Sequence, residues 1–553
     1  MKKRSIALLL VLVLLTSLVA ACGKKESDNQ PVNKEGNTSG DSANGGSEGS
    51  SSEWSWPLPE KKTLGIWMSW DCAYNDSPKE LRANKAMEEE LNIDLKWISP
   101  GPQEAQEKFG LMMASGDYPD IVVGGMESYY TGGPAQAVED GVIIDMTSYI
   151  EQYMPNYEAL RNSLDSIRKD TKTDDGRSVT AYTINTKDGE LTGEQPWSST
   201  LVRKDWLDKL GMEVPTTIDE WHTVLTAFKK EFNCEAPLMI GKDDAVDGAQ
   251  NFLTAFGVLK DFYQVDGKVH YGPLEDGYRQ WIELFRQWYA EGLIDQNFTT
   301  SETLYTTATE YIGTGRCGAG PSFYSWSCDY YIDMGVATDP DFWLVAAPAP
   351  VLNEGDTPQI GINMGNLIGA SLSITKNCKD IELACRWLDY CFTKDWMLYS
   401  SYGIEGDSYN KLDDGTYEFS DNLNWLLEED YPTWAEGLKA EYCLHNAGLG
   451  MYNWYALSVI RKGEPVLDAY DVWDVAKIDM VLPSRMTMTM DELTDYNNLY
   501  VSLQTLVREN TIKFIMGTQS MDQYDKFQED LMTYGAQKCI DYKQAALDRY
   551  NSR

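Results

Sequence analysis

The fold class is decided by a stretch that reads TLGIWMSW at 63–70, IDLKWISP at 93–100 and ASGDYPDIVVGG at 114–125. Each of these segments contains a strand pattern. Residues 78–91 and 103–115, which lie between them, carry helix patterns. Strands that alternate with helices predict an α/β domain with a mostly parallel sheet. Ligands of such sheets bind beyond the carboxyl ends of the strands.

Capping residues mark where the predicted helices begin and end. Ser77 is an N-cap before Pro78 at the first helical position, and Gly116 ends the second helix. Further along, Thr217 and Glu220 have the spacing of a capping box. These signals support the alternating pattern independently of its hydrophobic periodicity.

A second α/β pattern follows in the middle of the chain. Residues 198–232 read SSTLVRKDWLDKLGMEVPTTIDEWHTVLTAFKKEF, which predicts a strand, a helix, a loop and a helix. Residues 276–295 form an amphipathic helix pattern, residues 342–351 are extended, and residues 366–377 return as a strand. The chain therefore contains two α/β units.

The first 22 residues, MKKRSIALLLVLVLLTSLVAAC, resemble a bacterial lipoprotein signal. A basic segment precedes an apolar run of ten residues, which is too short to span a bilayer that needs about 20. The resemblance implies that residues 1–21 are removed and that Cys22 is lipidated. The alternative is an ordinary secretory signal. Residues 22–56 then form a flexible, Gly- and Ser-rich linker.

Composition excludes several classes of function. The formal net charge of −39 repels phosphate backbones, so nucleic acid is not an expected partner, and a neutral or cationic ligand fits better. The ten cysteines include no CxxC pair and the chain has three histidines, so we expect no metal site and no cofactor. Aromatic residues make up 12% of the chain, and flat rings suit the apolar faces of sugars.

Several segments resemble the extracellular solute-binding proteins of carbohydrate-type ABC importers, family 1, in the lipoprotein branch similar to LplA and LipO. The most specific segment is LVRKDWLDKLGMEVPTTIDEW at 201–221. AEGLIDQNF at 290–298, SYGIEGDSY at 401–409 and the segment 514–550 also match, in the family's order.

The resemblance implies a two-lobe, periplasmic-binding-protein-like (type II) fold with a hinged cleft. It implies one lobe from 57–180 plus 351–403 and the other from 181–350 plus 404–553. The crossings between the lobes would lie near residues 178–184, 346–351 and 402–406. The implied function is to capture a sugar by lobe closure and deliver it to a permease, as a lipid-anchored monomer without enzymatic activity.

The resemblance also implies site residues. RCGAGPSFYSWSCDYY at 316–331 corresponds to a segment of maltose-binding relatives that ends in a sugar-stacking tryptophan. Trp326 matches that position, with Tyr324 beside it. Trp67 and Trp70 stand three apart, so on a strand only one of them faces the cleft. The complete set of further candidates is Trp67, Trp70, Asp71, Tyr130, Trp197, Asn363, Glu405 and Trp454. For each tryptophan the alternative is a place in the core.

Three alternatives remain open. DTKTDDG at 170–176 offers three aspartates to a calcium ion, but lacks the final glutamate of a complete loop, so a solvated turn is the preferred interpretation. A secreted glycoside hydrolase would need two carboxylates across a sugar bond. A peptide or signal molecule could bind the same scaffold, since fold alone does not determine ligand class.

Overall fold

The strands form two main sheets, each with its own helices and core. The computed structural model describes residues 54–187, 189–191, 198–242, 250–300, 310–312, 314–324, 328–361, 368–428, 431, 434–442, 448–453, 456 and 464–553. The strands are β1 (Lys62–Met68), β2 (Ile93–Ile98), β3 (Ile121–Val123), β4 (Ala181–Thr186), β5 (Ser198–Arg203), β6 (Ala236–Leu238), β7 (Phe262–Val265), β8 (Lys268–Tyr271), β9 (Cys317–Tyr324), β10 (Leu344–Ala347), β11 (Ile368–Ile374), β12 (Tyr409–Lys411), β13 (Tyr417–Phe419) and β14 (Met451–Asn453).

Helices surround both sheets. The α-helices are Arg82–Leu91, Pro102–Ser115, Gly125–Ser128, Gly133–Glu139, Thr147–Tyr153, Pro155–Arg161, Asp165–Asp170, Lys204–Leu210, Ile218–Glu231, Gln250–Leu253, Asp276–Ala290, Cys328–Val336, Ile381–Tyr390, Lys394–Ser401, Trp425–Glu428, Trp434–Glu441, Glu464–Trp473, Met490–Ile515, Tyr524–Thr533 and Ala536–Asn551. Short 3-10 helices are Pro78–Glu80, Thr254–Phe256, Gly272–Leu274, Phe298–Thr300, Asp421–Asn424 and Met521–Gln523. Within these described ranges, no helix is both long and apolar enough to cross a bilayer.

The first sheet has the strand order β14-β4-β11-β3-β1-β2. β1 is parallel to β2 and to β3, as the alternating pattern predicted. β11 runs antiparallel to both β3 and β4, and β14 is parallel to β4. The predicted α/β class is confirmed, and β11 is the strand that runs against its neighbours.

The second sheet has the order β10-β5-β9-β6 and is mixed. β5 is antiparallel to β10 and to β9, while β6 is parallel to β9. In its main core, Trp221, Trp281 and Phe285 pack together with Leu503 and Phe514 of helix Met490–Ile515. A separate core surrounds Trp67 under the first sheet. The two sheets therefore belong to two lobes.

Two of the predicted caps hold α-helices as expected, whereas Ser77 caps only the 3-10 turn Pro78–Glu80, because the α-helix begins at Arg82. The Thr217 hydroxyl accepts a hydrogen bond from the Glu220 amide (3.2 Å), and the Glu220 carboxylate accepts one from the Thr217 amide (3.0 Å). These bonds, together with those from Thr216, lower the pKa of Glu220. Gly116 ends helix Pro102–Ser115 in the left-handed region, at φ 71°.

The predicted division into lobes differs from the strand pairing. β4 and β14 were assigned to the second lobe, but they pair in the first sheet, where Ile184 is the register partner of Met451. Residues from 351 on were assigned to the first lobe, but the Val351 amide donates to the Thr216 carbonyl (3.0 Å) in the second. A strand pattern predicts a strand but not the strand with which it pairs. The lobe to which each of these segments belongs is therefore seen only from its hydrogen bonds.

The RKDW segment, the most specific part of the family resemblance, is a buried structural joint. Arg203 at the end of β5 donates from Nε and Nη2 to the two carboxylate oxygens of Asp205 (both 2.7 Å). Its guanidinium lies between the rings of Trp206 and Phe342, with Cζ 4.2 and 4.1 Å from their centres. Arg203 and Asp205 are both buried, so each charge depends on the other.

Replacing Arg203 by Ala is expected to lower the free energy of unfolding by about 3–5 kcal/mol, because it leaves the Asp205 carboxylate buried without its main partner. Urea unfolding measures the loss. The control is Lys204→Ala, which removes a more exposed ion pair with Asp208 and should cost less than about 1 kcal/mol. Equal losses for the two variants would contradict the structural role of the buried pair.

Candidate functional site

The described strands and helices place three crossings between the two lobes. β4 ends at Thr186 in the first sheet, and β5 begins at Ser198 in the second. β10 of the second sheet is followed by β11 of the first, and β14 is followed by helix Glu464–Trp473. That helix belongs to the second lobe, because the Trp473 indole donates to the Ala347 carbonyl (3.1 Å).

These crossings differ from the predicted ones. The first follows β4 instead of occupying residues 178–184. The second lies beyond residues 346–351, because Ile360 still packs in the core of the second sheet with Leu344 and Trp473. The third prediction, residues 402–406, is wrong. The Tyr402 ring packs on those of Tyr409 and Phe419 in the β12–β13 hairpin, and the preceding helix Lys394–Ser401 is fastened to the first lobe by a Trp396 indole bond to the Leu449 carbonyl (3.0 Å).

All three crossings leave or enter the first sheet at one edge. β1, β3, β4 and β14 run in the same direction, because β11 is antiparallel to both β3 and β4. Their carboxyl ends, at Met68, Val123, Thr186 and Asn453, therefore share an edge, and β11 begins there. This is the edge at which α/β sheets bind ligands. We call it the cleft edge.

Trp67 and Trp70 do not present their rings at this edge. Trp67 is 1% exposed and lies in the core against the edges of Phe109 and Tyr129, so its expected role at the cleft is corrected. Trp70 is also buried, and its indole donates to the Asn75 side-chain oxygen (2.7 Å). Trp67 is covered by Phe109 of helix Pro102–Ser115 and by Tyr129, which are contacts that strand periodicity alone does not show.

The polar candidates lie at the surface of the first lobe. Asp71 directly follows Trp70 and is exposed, and Glu405 is exposed in the turn before β12. The Tyr130 hydroxyl donates to the Asp140 carboxylate (2.7 Å). Partial burial and that bond raise the pKa of Tyr130 to about 12. Their part in ligand binding stays a prediction.

Most of the remaining candidates lie outside the described residues. Trp197, Trp326, Asn363 and Trp454 are among the positions outside them. The backbone of Tyr324 is described: it ends β9 and is the register partner of Ser198, the first residue of β5. Because the first crossing enters the second lobe at Ser198, the carboxyl end of β9 faces the cleft.

Arg485 joins the lobes beside the cleft edge, a role that the sequence did not suggest. Its segment belongs to the second lobe, since Met480 accepts a hydrogen bond from the Gln264 amide (2.9 Å). The guanidinium pairs with the Glu127 carboxylate and donates to the Gly369 carbonyl (2.6 Å). It also stacks on Tyr182, with Cζ 4.6 Å from the ring centre. One side chain thus reaches β4, β11 and the segment after β3.

The supposed calcium loop forms a second tie between the lobes. The Asp174 carboxylate accepts hydrogen bonds from Arg553 Nε (2.9 Å) and Nη2 (2.7 Å) and from the Thr487 hydroxyl (2.7 Å). The Nε atom of Arg549 lies 3.4 Å from the same carboxylate. The Arg553 side chain is 1% exposed. Across the described residues, no group of three or more metal-ligating side chains is assembled. Asp174, Asp175 and Gly176 are exposed, as expected for a solvated turn, and guanidinium groups hold the Asp174 carboxylate.

Chain comparisons place these features in a known context. A family model described as bacterial extracellular solute-binding protein matches residues 76–398. The fructooligosaccharide ABC transporter substrate-binding protein FusA of Streptococcus pneumoniae serotype 4 is 24% identical, and the alignment covers 98% of each chain. The polygalacturonan/rhamnogalacturonan-binding protein YtcQ of Bacillus subtilis strain 168 is 23% identical, over 88% of this chain and 92% of YtcQ.

Solved structures agree on the fold. An extracellular solute-binding protein from Bifidobacterium longum subsp. infantis superposes with a TM-score of 0.70 at 18% identity, over 89% of this chain and 98% of that one. The two-lobe fold predicted from the sequence is confirmed.

Replacing Arg485 by Ala is expected to raise the equilibrium constant for separation of the two lobes by roughly 10-fold or more. The reason is that a hydrogen bond to a charged group contributes about 1.5–3 kcal/mol. Small-angle X-ray scattering of the ligand-free chain should show a larger radius of gyration. The control is Arg279→Ala, whose pairs with Glu283 and Asp525 lie within the second lobe. Identical scattering from wild type and Arg485→Ala would contradict the tie.

Proposed function

We propose that this chain, which belongs to the bacterial extracellular solute-binding protein family, captures an oligosaccharide between its lobes and delivers it to the permease of an ABC importer. The alignment with FusA, an ABC transporter substrate-binding protein, carries the proposal, because it extends over 98% of each chain and therefore across both lobes. The family consists of binding proteins, so the chain is a binding protein and not an enzyme. This removes the glycoside hydrolase alternative.

A neutral oligosaccharide suits the chain better than a charged one. FusA is named for fructooligosaccharides and YtcQ for galacturonans, so relatives of similar identity differ in the charge of their ligand. The net charge of −39 opposes the approach of a polyanion. We therefore favour a neutral ligand. A peptide or signal molecule is the alternative that a ligand screen would exclude.

The proposed contacts combine aromatic rings with polar groups. Trp326 lies two residues beyond Tyr324, whose backbone ends at the cleft. The complete set of proposed ligand contacts is Trp326, Tyr324, Trp197, Trp454, Asn363, Asp71, Tyr130 and Glu405. Burying an aromatic side chain contributes about 1.5–3 kcal/mol, so two rings and several hydrogen bonds reach the ~8 kcal/mol of a micromolar complex.

Lobe closure follows from contacts made on both sides. A ligand shifts the equilibrium between open and closed forms only by its differential affinity for them. A sugar held by both lobes binds the closed form more tightly. The permease would then recognise the closed, loaded monomer.

Replacing Trp326 by Ala is expected to raise the dissociation constant at least about 10-fold, because a stacked ring is lost. A thermal-shift screen with neutral oligosaccharides, short peptides and uronates detects the wild-type ligand, which should stabilise by about 2.7 kcal/mol at 100 times its dissociation constant. The control is Trp343→Ala. Trp343 is 42% exposed, but it precedes β10 at the end of β5 opposite Ser198, away from the cleft. If Trp326→Ala shows the same ligand-induced thermal shift as wild type, Trp326 does not contact the ligand.

We further propose that Cys22 is lipidated and anchors the chain to the outer face of the membrane. A single acyl chain binds membranes reversibly, whereas two give stable anchoring. The linker, of about 30 residues, would reach roughly 30 Å as a random coil. The binding lobes would then stay mobile and close to the permease.

Replacing Cys22 by Ser is expected to release the protein into the medium with unchanged ligand affinity, because the anchor lies outside the binding lobes. Fractionation of cells and medium measures the release, and calorimetry measures the affinity. The matched control is Cys72→Ser, at a partly buried cysteine of the first lobe, which should remain with the membrane. Membrane retention of Cys22→Ser would contradict the anchor.

A further inference from the structure

We propose that Tyr74 and Tyr431 form an aromatic subsite for one neutral glycosyl unit at the rim of the first lobe. The proposal rests on the proposed function, since it adds a contact to the same oligosaccharide. Neither tyrosine was singled out in the sequence.

Tyr74 lies next to the cleft edge. Tyr74 lies in the loop between β1 and the helical turn Pro78–Glu80, beyond the carboxyl end of β1. The exposed aromatic side chains found within the described ranges are Tyr74 (45%), Trp343 (42%) and Tyr534 (51%). Trp343 lies at the far edge of the second sheet, and Tyr534 follows helix Tyr524–Thr533. Of these three, Tyr74 is the ring beside the strand ends where ligands bind.

The loop that carries Tyr74 is held in place on both sides. The buried Trp70 indole donates to the Asn75 side-chain oxygen (2.7 Å), and the Asn75 amide nitrogen donates to the Ala440 carbonyl (2.7 Å). The loop is therefore fastened to helix Trp434–Glu441. A fixed ring loses little conformational entropy when a sugar binds to it.

Tyr431 completes the platform. Its ring lies edge-on to that of Tyr74, with centres 4.8 Å apart and planes at 78°. Its hydroxyl donates to the Glu441 carboxylate (2.6 Å), and Glu441 pairs with Arg82 (3.5 Å). The Arg82 guanidinium in turn lies over Trp425, 5.2 Å from the ring centre. Almost half of the Tyr74 side chain is therefore exposed to solvent beside the ring of Tyr431.

The charge of the subsite selects the sugar. The Tyr74 hydroxyl donates to the Glu436 carboxylate (3.4 Å), and Glu441 lies behind Tyr431. A carboxylate accepts hydrogen bonds from sugar hydroxyls, while the ring buries an apolar sugar face. The charge of Glu441 is compensated by Arg82, whereas the Glu436 carboxylate beside the Tyr74 ring repels a uronate. The geometry therefore favours a neutral unit and disfavours an acidic one.

The test compares variants of the full chain by isothermal titration calorimetry. The probes are fructo-, malto- and xylo-oligosaccharides of two to five units and a trigalacturonate. Tyr74→Ala is expected to raise the dissociation constant of the longest bound neutral probe at least 10-fold. Tyr74→Phe keeps the ring and should stay within about 3-fold of wild type, whereas Tyr534→Ala should match it. Glu436→Gln should improve binding of the trigalacturonate relative to the neutral probe.

The outcomes separate the subsite from the function on which it rests. If wild type binds a neutral probe but Tyr74→Ala binds it equally well, the subsite is overturned and the proposed function stands. If wild type binds none of the oligosaccharides, both are overturned. Preference of the wild type for the trigalacturonate would overturn the neutral assignment. A general loss of stability in Tyr74→Ala would also appear in its melting temperature. In that case loss of affinity in the stable Tyr74→Phe variant would overturn ring stacking, and retained affinity would support it.

Discussion

The pairing of β11 with β3 and β4 is the constraint on which the rest of the molecule depends. β11 arrives from the second lobe and inserts antiparallel between two strands of the first sheet. Because a strand antiparallel to both neighbours makes those neighbours parallel, β4 points the same way as β1 and β3. The carboxyl ends of the parallel strands and the crossings to the other lobe therefore meet at one edge. A cleft between two hinged lobes follows from this single insertion.

Charge has two distinct roles in this acidic chain. Over the chain as a whole, the net negative charge opposes the approach of anionic ligands. At the boundary of the lobes a few arginines neutralise it locally. Asp174 accepts from Arg553, and Glu127 pairs with Arg485. A guanidinium presents several fixed donors to a carboxylate, so it holds an acidic turn at the position where a calcium ion was the less favoured alternative.

The aromatic content has a different meaning from the one that composition suggested. Among the described residues, nine tryptophans are buried in the cores. Their buried area stabilises two large lobes, and Trp70 and Trp473 also fix loops and helices through their indole nitrogens. Aromatic enrichment is therefore weak evidence for a sugar site by itself. Exposure and location matter more, as the contrast between Trp67 and Tyr74 shows.

The sequence by itself determined the local elements and the family. Ser77, Gly116 and Thr217 mark helix ends through interactions with residues nearby in the chain. The RKDW segment carries the family resemblance, and its buried Arg203–Asp205 pair joins residues only two positions apart. Tertiary structure alone decided which lobe holds β4 and β14, where the third crossing lies, and which aromatic rings reach the surface. Those outcomes depend on partners hundreds of residues apart, such as Tyr74 with Tyr431 or Asp174 with Arg553. A local pattern carries the propensity of a segment, but the partner is chosen by burial and hydrogen bonding across the whole chain.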